Sequence, residues 1–250
     1  MPRRFRYLDV LITAFVVILL VSNLVAQKIV RLGPFGHIGP WTVAGHPWLA
    51  RHDVVLSVSG GLILFPITYI FGDIFTEVYG YSASRRAIWL GFCGTALMYA
   101  VAALVIALPA DPNFHNQQAF ITVFGFLPRL LAASLIAFWA GEFANSYTMA
   151  RLKLLTRGRW LWTRTVGSTI TGQAVDTTIV IVLTFAGNYP ARTLAKLILT
   201  SYCLKVAYEI LATPLTYLVI NFLKRAENSD AYDTHTNFNP FTFFGASSQS

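Results

Sequence analysis

Residues 65–80 read Phe65-Pro66-Ile67-Thr68-Tyr69-Ile70-Phe71-Gly72-Asp73-Ile74-Phe75-Thr76-Glu77-Val78-Tyr79-Gly80. The run begins as an apolar segment of the kind that crosses membranes, and it then carries two carboxylates. Asp73 and Glu77 are four residues apart, so on a helix they lie on one face. A charge near the bilayer centre costs roughly 2.5–3.5 kcal/mol on insertion scales. The two acids therefore require a partner, a water-filled cavity or a ligand, and they are the first candidates for a functional site.

The composition is that of an integral membrane protein. The chain has 250 residues, of which 55% are hydrophobic and 12% charged, and its mean hydropathy is +0.56. Soluble domains carry about 25% charged residues. The predicted fold class is all-α, a polytopic membrane protein whose partner is the lipid bilayer.

Six apolar runs approach the ~20 residues that a helix needs to cross ~30 Å of hydrocarbon. They are Leu8–Val30, Val54–Tyr79, Ala87–Leu108, Leu127–Ala150, Thr165–Gly187 and Leu194–Leu223. The start resembles a signal peptide because three arginines precede the first run. That run is too long for a signal peptide and five more follow, so we interpret it as the first of six transmembrane helices.

The net charge of +8 follows the predicted topology. Twelve Lys and Arg residues, among them Lys153, Arg164 and Lys224, lie on the same side of the predicted membrane as the N-terminus. Six lie on the opposite side. This bias fits the positive-inside rule and predicts that both termini are cytoplasmic. We interpret the basic residues mostly as an orientation signal, and no nucleic-acid partner is predicted.

The predicted domains are a membrane domain, 1–225, and a polar cytoplasmic tail, 226–250, that is partly disordered. The outer loop holds His37, His46 and His52, but their spacing matches no zinc signature, so a metal site is the minor alternative. Cys93 and Cys203 lie in predicted spans without a close-spaced partner, and neither a disulfide nor a cofactor is predicted.

Polar residues recur at similar depths in several spans. Counted from the basic inner ends at 1.5 Å per residue, the acids and Gln173 of four helices fall within roughly 9 Å of one depth. A shared depth near the midplane predicts a central binding cavity, and the alternative is that each acid pairs separately for stability. The candidate binding residues are Asp73, Glu77, Gln173, Asp176, Glu142, Asn145, Asn23, Lys205 and Glu209.

Spacing suggests a role for some of these residues. Gln173 and Asp176 are three apart on one helical face, and an amide with a carboxylate can read the donors and acceptors of a planar heterocycle. Lys205 and Glu209 are four apart, so an ion pair within one helix is as good an interpretation as a binding role. Asn23 could instead bond across helices. Pro66 removes one helical hydrogen bond, which predicts a bend or opening in the second span.

Several motifs of the chain recur in a known family. They are residues 65–80 with Tyr81, Arg85 and Arg86; Gly141-Glu142-Phe143-Ala144-Asn145-Ser146; Trp162-Thr163-Arg164-Thr165; Gly167-Ser168-Thr169; Gly172-Gln173 with Asp176-Thr177; and Tyr232-Asp233 with Thr236-Asn237-Phe238-Asn239-Pro240-Phe241. Together they resemble the YhhQ/VUT-type queuosine precursor transporter family. The resemblance covers most of the chain from the first span onwards, but not the histidine-bearing loop.

The resemblance implies multi-pass inner-membrane import of the 7-deazaguanines preQ0 and preQ1 for tRNA modification, without enzymatic activity. A small-molecule substrate of this kind presents N–H donors that carboxylates and a glutamine can accept. Proton coupling would use Asp73, Glu77, Glu142 or Asp176 as the carrier. Two alternatives stay open, a substrate-binding subunit of an ATP-driven importer and an intramembrane enzyme with paired acids. The energy source and the oligomeric state, including a homo-oligomer, stay open as well.

Overall fold

The computed structural model describes residues 5–26, 28–32, 56–125, 128–234 and 236–241. The described helices are α1 (Leu8–Val25), α2 (Phe65–Ile74), α3 (Tyr81–Ala107), α4 (Gln117–Phe124), α5 (Pro128–Leu155), α6 (Leu161–Phe185) and α7 (Ala191–Glu227). Two short strands, β1 (Ile29–Leu32) and β2 (Leu56–Ser59), form an antiparallel ladder that the sequence did not predict. The three loop histidines lie outside the described residues.

Five helical segments of the described chain are long and apolar enough to cross a membrane. They are Leu8–Val25, Tyr81–Ala107, Leu161–Phe185, Ala191–Glu227 and the described part of the segment that contains α4 and α5. Large apolar side chains remain on the outside of these helices, for example Leu211 at 80% and Leu218 at 70% exposure. Such apolar exposure suits contact with lipid. A helical, multi-pass membrane protein is thus confirmed.

The second predicted span, Val54–Tyr79, is not one continuous helix. Its residues form β2, a 3-10 turn at Gly60–Ile63, the ten-residue helix α2 and a π-helical turn at Phe75–Tyr79. Pro66 lies in the first turn of α2, where its missing N–H would be unpaired in any case. The predicted loss of a helical hydrogen bond at Pro66 is therefore wrong, because Pro66 helps to begin α2. The second span is interrupted before Pro66, at β2 and the 3-10 turn.

The other boundaries shift by smaller amounts. Helix α3 begins at Tyr81 rather than Ala87, and α7 continues through Pro214 to Glu227. The predicted second outer loop, 109–126, contains the short helix α4. The extensions of α3 and α7 matter most, because they bring polar residues that were predicted to lie in loops onto rigid helices.

The apolar core surrounds α2 and its π-helical turn. Phe15 of α1 is 1% exposed, and its ring centroid lies 5.7 Å from that of Phe75 and 6.4 Å from that of Phe138 on α5. Ile220 and Leu223 of α7 complete the same core. The short helix α2 is therefore enclosed by the longer helices α1, α5 and α7.

Helices α5 and α6 cross at a pair of glycines. A Cβ atom on Gly141 would lie 2.7 Å from the Cβ of Asp176, and one on Gly172 would lie 2.8 Å from the Cβ of Asn145. Real Cβ atoms do not approach so closely, so both positions require glycine at this helix separation. The close crossing places Asp176 against Gly141 and Asn145 against Gly172, so the two polar residues flank the helix contact.

Residues 228–234 and 236–241, here called the C-terminal strap, pack back onto the helices. The Asp233 carboxylate accepts the Tyr81 backbone N–H at 3.0 and 3.2 Å and so caps the start of α3. Arg85 donates to the carbonyls of Asn237 and Asn239 at 2.9 and 3.0 Å, and the Trp89 indole donates to that of Pro240 at 2.7 Å. The predicted tail is thus docked over these residues.

Candidate functional site

A cavity of about 210 Å³ opens between six of the helices. This volume is many times the ~10–15 Å³ that one water molecule needs, so the cavity can hold a small organic molecule. Its walls combine polar and aromatic side chains. The lining residues are Leu19, Ser22, Asn23, Thr68, Tyr69, Thr95, Tyr99, Ser134, Leu135, Phe138, Glu142, Asp176, Val180 and Lys205.

An ion pair joins α6 and α7 at the cavity wall. The Lys205 ammonium lies 2.6 Å from the Asp176 carboxylate, and the two side chains are 22% and 14% exposed. The predicted pairing of Lys205 with Glu209 within one helix therefore gives way to a pairing between helices. Packing decides this, since α6 presents Asp176 to the same face of α7 on which Lys205 lies.

Asn23 connects α1 to α3 at another part of the wall. Its side-chain oxygen accepts the Tyr99 hydroxyl at 3.2 Å, while its amide nitrogen donates to the Leu19 carbonyl at 2.9 Å. The structure thus places Asn23 both in an interhelical bond and on the cavity surface. Tyr99 and Thr95 are lining residues that sequence reasoning missed, although both share the polar face of α3.

Asp73, Glu142 and Asn145 meet beside Gly72. Asn145 donates its amide N–H to Asp73 at 3.4 Å, and a Cβ on Gly72 would lie 2.9 Å from the Glu142 carboxylate and 3.5 Å from the Asn145 amide nitrogen. All three polar side chains are at most 3% exposed. Glu142 also lines the cavity, so the buried group continues from its wall.

Buried polar atoms without hydrogen-bond partners concentrate in this region. Among the described residues they include Asp73 Oδ2, Glu142 Oε2, Asn145 Oδ1, Glu209 Oε1 and both amide atoms of Gln173. An unsatisfied buried polar group costs about 1–3 kcal/mol, and folded proteins satisfy nearly all of them. A concentration of such atoms beside a cavity is typical of a ligand site.

Gln173 lies at 0% exposure next to the Tyr69 hydroxyl, yet neither amide atom makes a hydrogen bond of regular geometry with a described residue. Tyr69 itself lines the cavity. Tyr69 is absent from the binding residues predicted from the sequence, and the structure places it, at 6% exposure, in the centre of the protein. The four-residue spacing from Tyr69 to Asp73 could have indicated this shared face.

Glu77 does not join this group. It is fully buried, and Arg164 donates to both of its oxygens, at 2.7 and 3.2 Å. Lys153 and Lys224 lie 3.3 and 2.5 Å from the same carboxylate. Asp73 and Glu77, although four residues apart, therefore meet different partners, and the predicted binding role of Glu77 has no support from its position.

The cations around Glu77 also bind the C-terminal strap. Asp230 lies 2.5 Å from Lys153 and 2.8 Å from Lys224. Partial burial raises the pKa of Asp230, but the hydrogen bonds from the two lysines outweigh that effect and hold the pKa below its ordinary value. Lys153 and Arg164 are 2% and 1% exposed, so their interpretation as mere orientation signals is incomplete.

The comparisons with known proteins agree with this architecture. The sequence model of the family described as "Putative vitamin uptake transporter" matches residues 59–219. The chain belongs to this family. A relative from Bacillus subtilis (strain 168), named "Probable queuosine precursor transporter", is 28% identical over 203 residues, which are 80% of this chain and 88% of the relative. No solved structure matches the chain significantly.

Membership of the vitamin uptake transporter family confirms the resemblance found in the sequence. The family and the relative are transporters, so the protein is a multi-pass membrane transporter and not an enzyme. The matched region contains α2, α3, α5, α6 and most of α7, and with them most of the cavity wall.

Proposed function

We propose that this transporter imports 7-deazaguanine precursors of queuosine, preQ0 and preQ1, across the cytoplasmic membrane for tRNA modification. The cavity between the helices carries the proposal, because its wall holds the buried, unpartnered oxygens of Glu142 and Thr95, and Asp73 and Asn145 adjoin Glu142. Family membership and the name of the B. subtilis relative support the same substrate class.

The chemistry of the cavity suits a flat nucleobase. A 7-deazaguanine offers ring N–H and exocyclic amino donors, which the carboxylates of Glu142 and Asp73 can accept. The Gln173 amide can donate to the ring carbonyl and accept a neighbouring N–H at the same time. Tyr69, Tyr99 and Phe138 supply ring surfaces for stacking along the wall. Binding would thereby satisfy polar atoms that the described protein leaves unpaired.

The proposed topology has six membrane passages with both termini in the cytoplasm. Helix α2 and the π-helical turn form the second passage, which is short because its start is β2 and a 3-10 turn. With this topology Glu77, the end of α5, the start of α6 and the end of α7 all lie at the cytoplasmic side. These are the segments that meet around Glu77, so the topology agrees with the ion pairs.

We propose alternating access as the transport mechanism. The Glu77 cluster and the strap would close the cytoplasmic side, and the substrate would reach the cavity from the opposite side. Opening towards the cytoplasm would require α5, α6 and α7 to separate at Glu77. Proton coupling through Asp73, Glu142 or Asp176 would accompany this change, and uptake that ignores both pH and an uncoupler would argue against it.

The experiment uses bacteria that neither make these precursors nor carry their own transporter. Cells expressing this chain are given a low concentration of preQ0 or preQ1, and queuosine in their tRNA is measured by mass spectrometry. We expect the wild type to restore queuosine in tRNA. Uptake by Asp73→Asn should be lower by a factor of about ten or more, because the substitution removes a buried hydrogen-bond acceptor.

The control is Asp9→Asn, since the Asp9 side chain is 81% exposed at the protein surface. Immunoblots of membrane fractions establish that all variants are present in equal amounts. No queuosine with the wild type would refute the proposed substrate, and full rescue by Asp73→Asn would remove Asp73 from the site. Uptake by proteoliposomes that contain only the purified chain would exclude the subunit of an ATP-driven importer.

A further inference from the structure

Acidic side chains outnumber basic side chains around the cavity. Glu142 and Asp176 line it, Glu142 lies within electrostatic range of Glu209, and Asp73 lies within range of both Glu142 and Glu209. Lys205 is the cation of the cavity wall, and its ammonium lies 2.6 Å from Asp176. The remaining acids, Asp73, Glu142 and Glu209, have no ion pair within 4.0 Å among the described residues.

A second observation, on neutral side chains, points to a ligand at this place. The Asn145 Oδ1 atom is buried without a hydrogen-bond partner among the described residues, and the Gln173 amide is 0% exposed with the Tyr69 hydroxyl beside it. They add directional donors and acceptors to a region that is otherwise acidic.

Acids in such surroundings favour a cationic guest. A carboxylate that is shielded from water and lacks a counter-ion is unfavourable in its charged form, and it regains stability when a cation arrives within about 4 Å. The two queuosine precursors differ in their charge. PreQ1 carries an aminomethyl group that is protonated at neutral pH, whereas preQ0 carries a neutral nitrile, and both molecules have the same number of non-hydrogen atoms.

We propose that the cavity selects its substrate by charge and binds the cationic aminomethyl 7-deazaguanine more tightly than the neutral nitrile. The inference rests on the proposed function, which it narrows to one of the two precursors. Glu142 receives the ammonium group, because it is the unpaired acid that lines the cavity. Asp176 is neutralised by Lys205 and contributes to the site without attracting further charge.

The test compares the affinities of the two precursors for the purified full chain in lipid nanodiscs by isothermal titration calorimetry. We expect preQ1 to bind at least about tenfold more tightly than preQ0, in line with one partly desolvated ion pair. In Glu142→Gln the ratio should fall to within about threefold of unity, with the loss on the preQ1 side. The exposed acid Asp111 provides the control, and Asp111→Asn should keep the wild-type ratio.

The possible outcomes separate the two proposals. Binding of both precursors with equal affinity, or a preference for preQ0, would overturn selection by charge and leave the proposed function intact. Binding of neither precursor would overturn the proposed function together with the inference. If Glu142→Gln is not recovered as folded protein, the wild-type ratio decides alone, and Glu209→Gln provides a second variant in which the preference should weaken without vanishing.

Discussion

At the scale of single residues, Glu77 shows how a buried charge is stabilised in this protein. Arg164 donates two hydrogen bonds to its carboxylate, and Lys153 and Lys224 form ion pairs with it. Bidentate arginine contacts are among the strongest that carboxylates make. Each cation comes from a different helix, so one carboxylate holds the ends of α5, α6 and α7 together.

Replacing Glu77 by glutamine should therefore be strongly destabilising. Arg164 would lose its carboxylate partner in a buried place, while Lys153 and Lys224 would keep only Asp230. We expect the free energy of unfolding to fall by about 3–5 kcal/mol. The measurement is thermal unfolding of the detergent-solubilised protein. Asp9→Asn is the matched acid-to-amide control, because its partner Arg86 is 3.6 Å away and both side chains are largely exposed. Equal melting temperatures for Glu77→Gln and Asp9→Asn would contradict this account of Glu77.

At the scale of secondary-structure elements, the α5–α6 crossing decides where the site residues lie. The backbones approach so closely at Gly141 and Gly172 that Asn145 and Asp176 flank the contact. The π-helical turn after α2 has a related effect at the other end, because it carries Glu77 to the cations of three helices. Non-standard turns of this kind are often found at functional sites.

A methyl group at the crossing tests the importance of this approach. In Gly172→Ala the new Cβ would meet the Asn145 Cβ at 2.8 Å and the Gly141 carbonyl at 3.0 Å, so the helices must separate. We expect a loss of about 1–3 kcal/mol in stability and reduced uptake, since Asn145 would move away from Asp73. Thermal unfolding measures the stability of the variant, and the transport assay measures its uptake.

Gly94→Ala is the matched control on α3, where the nearest atom to a new Cβ is Val16 Cγ1 at an ordinary 3.4 Å. Alanine is the better helix former, and stability should stay equal or rise by up to about 1 kcal/mol. If Gly94→Ala and Gly172→Ala behave alike, helix propensity rather than the close crossing governs both positions.

At the scale of the whole molecule, the C-terminal strap binds the start of α3, the ends of α5 and α7 and the π-helical turn that holds Glu77. Asp233 caps α3, Asp230 binds Lys153 and Lys224, and the Ser229 hydroxyl donates to the Val78 carbonyl at 3.1 Å. Because the pKa of Asp230 is lowered, its ion pairs are present at neutral pH. On acidification they are lost as the pH falls below the ordinary aspartate value of about 3.9, towards the lower folded-state pKa.

Two truncations test the strap. A chain that ends after Glu227 loses these contacts, and we expect a lower melting temperature and little uptake, because the α3 cap and the acid shared by two lysines are gone. A chain that ends after Phe241 keeps every described strap residue and should behave as the wild type. A short truncation as damaging as the long one would show that the stabilising contacts lie beyond residue 241.

The cavity is also a property of the whole molecule, since six helices contribute to it. Counting residues from the inner ends of the spans indicated that polar groups share a depth. The structure places Asn23, Glu142, Asp176 and Lys205 around one cavity, with Asp73 adjoining Glu142. The count of residues did not indicate that Glu77 lies apart from the cavity, among Lys153, Arg164 and Lys224. Depth along a helix follows from counting residues, whereas the direction of a side chain depends on how each helix is rotated against its neighbours.

The sequence by itself determined that this is a helical, multi-pass membrane protein, because hydrocarbon imposes length and apolarity on every spanning segment. Its motifs also identified the family. Tertiary structure alone decided that Lys205 pairs with Asp176, that three distant cations converge on Glu77, and that part of the tail is a docked strap. These contacts join residues far apart in the chain, and their energies depend on helix rotation, close glycine contacts and burial, none of which a linear pattern encodes.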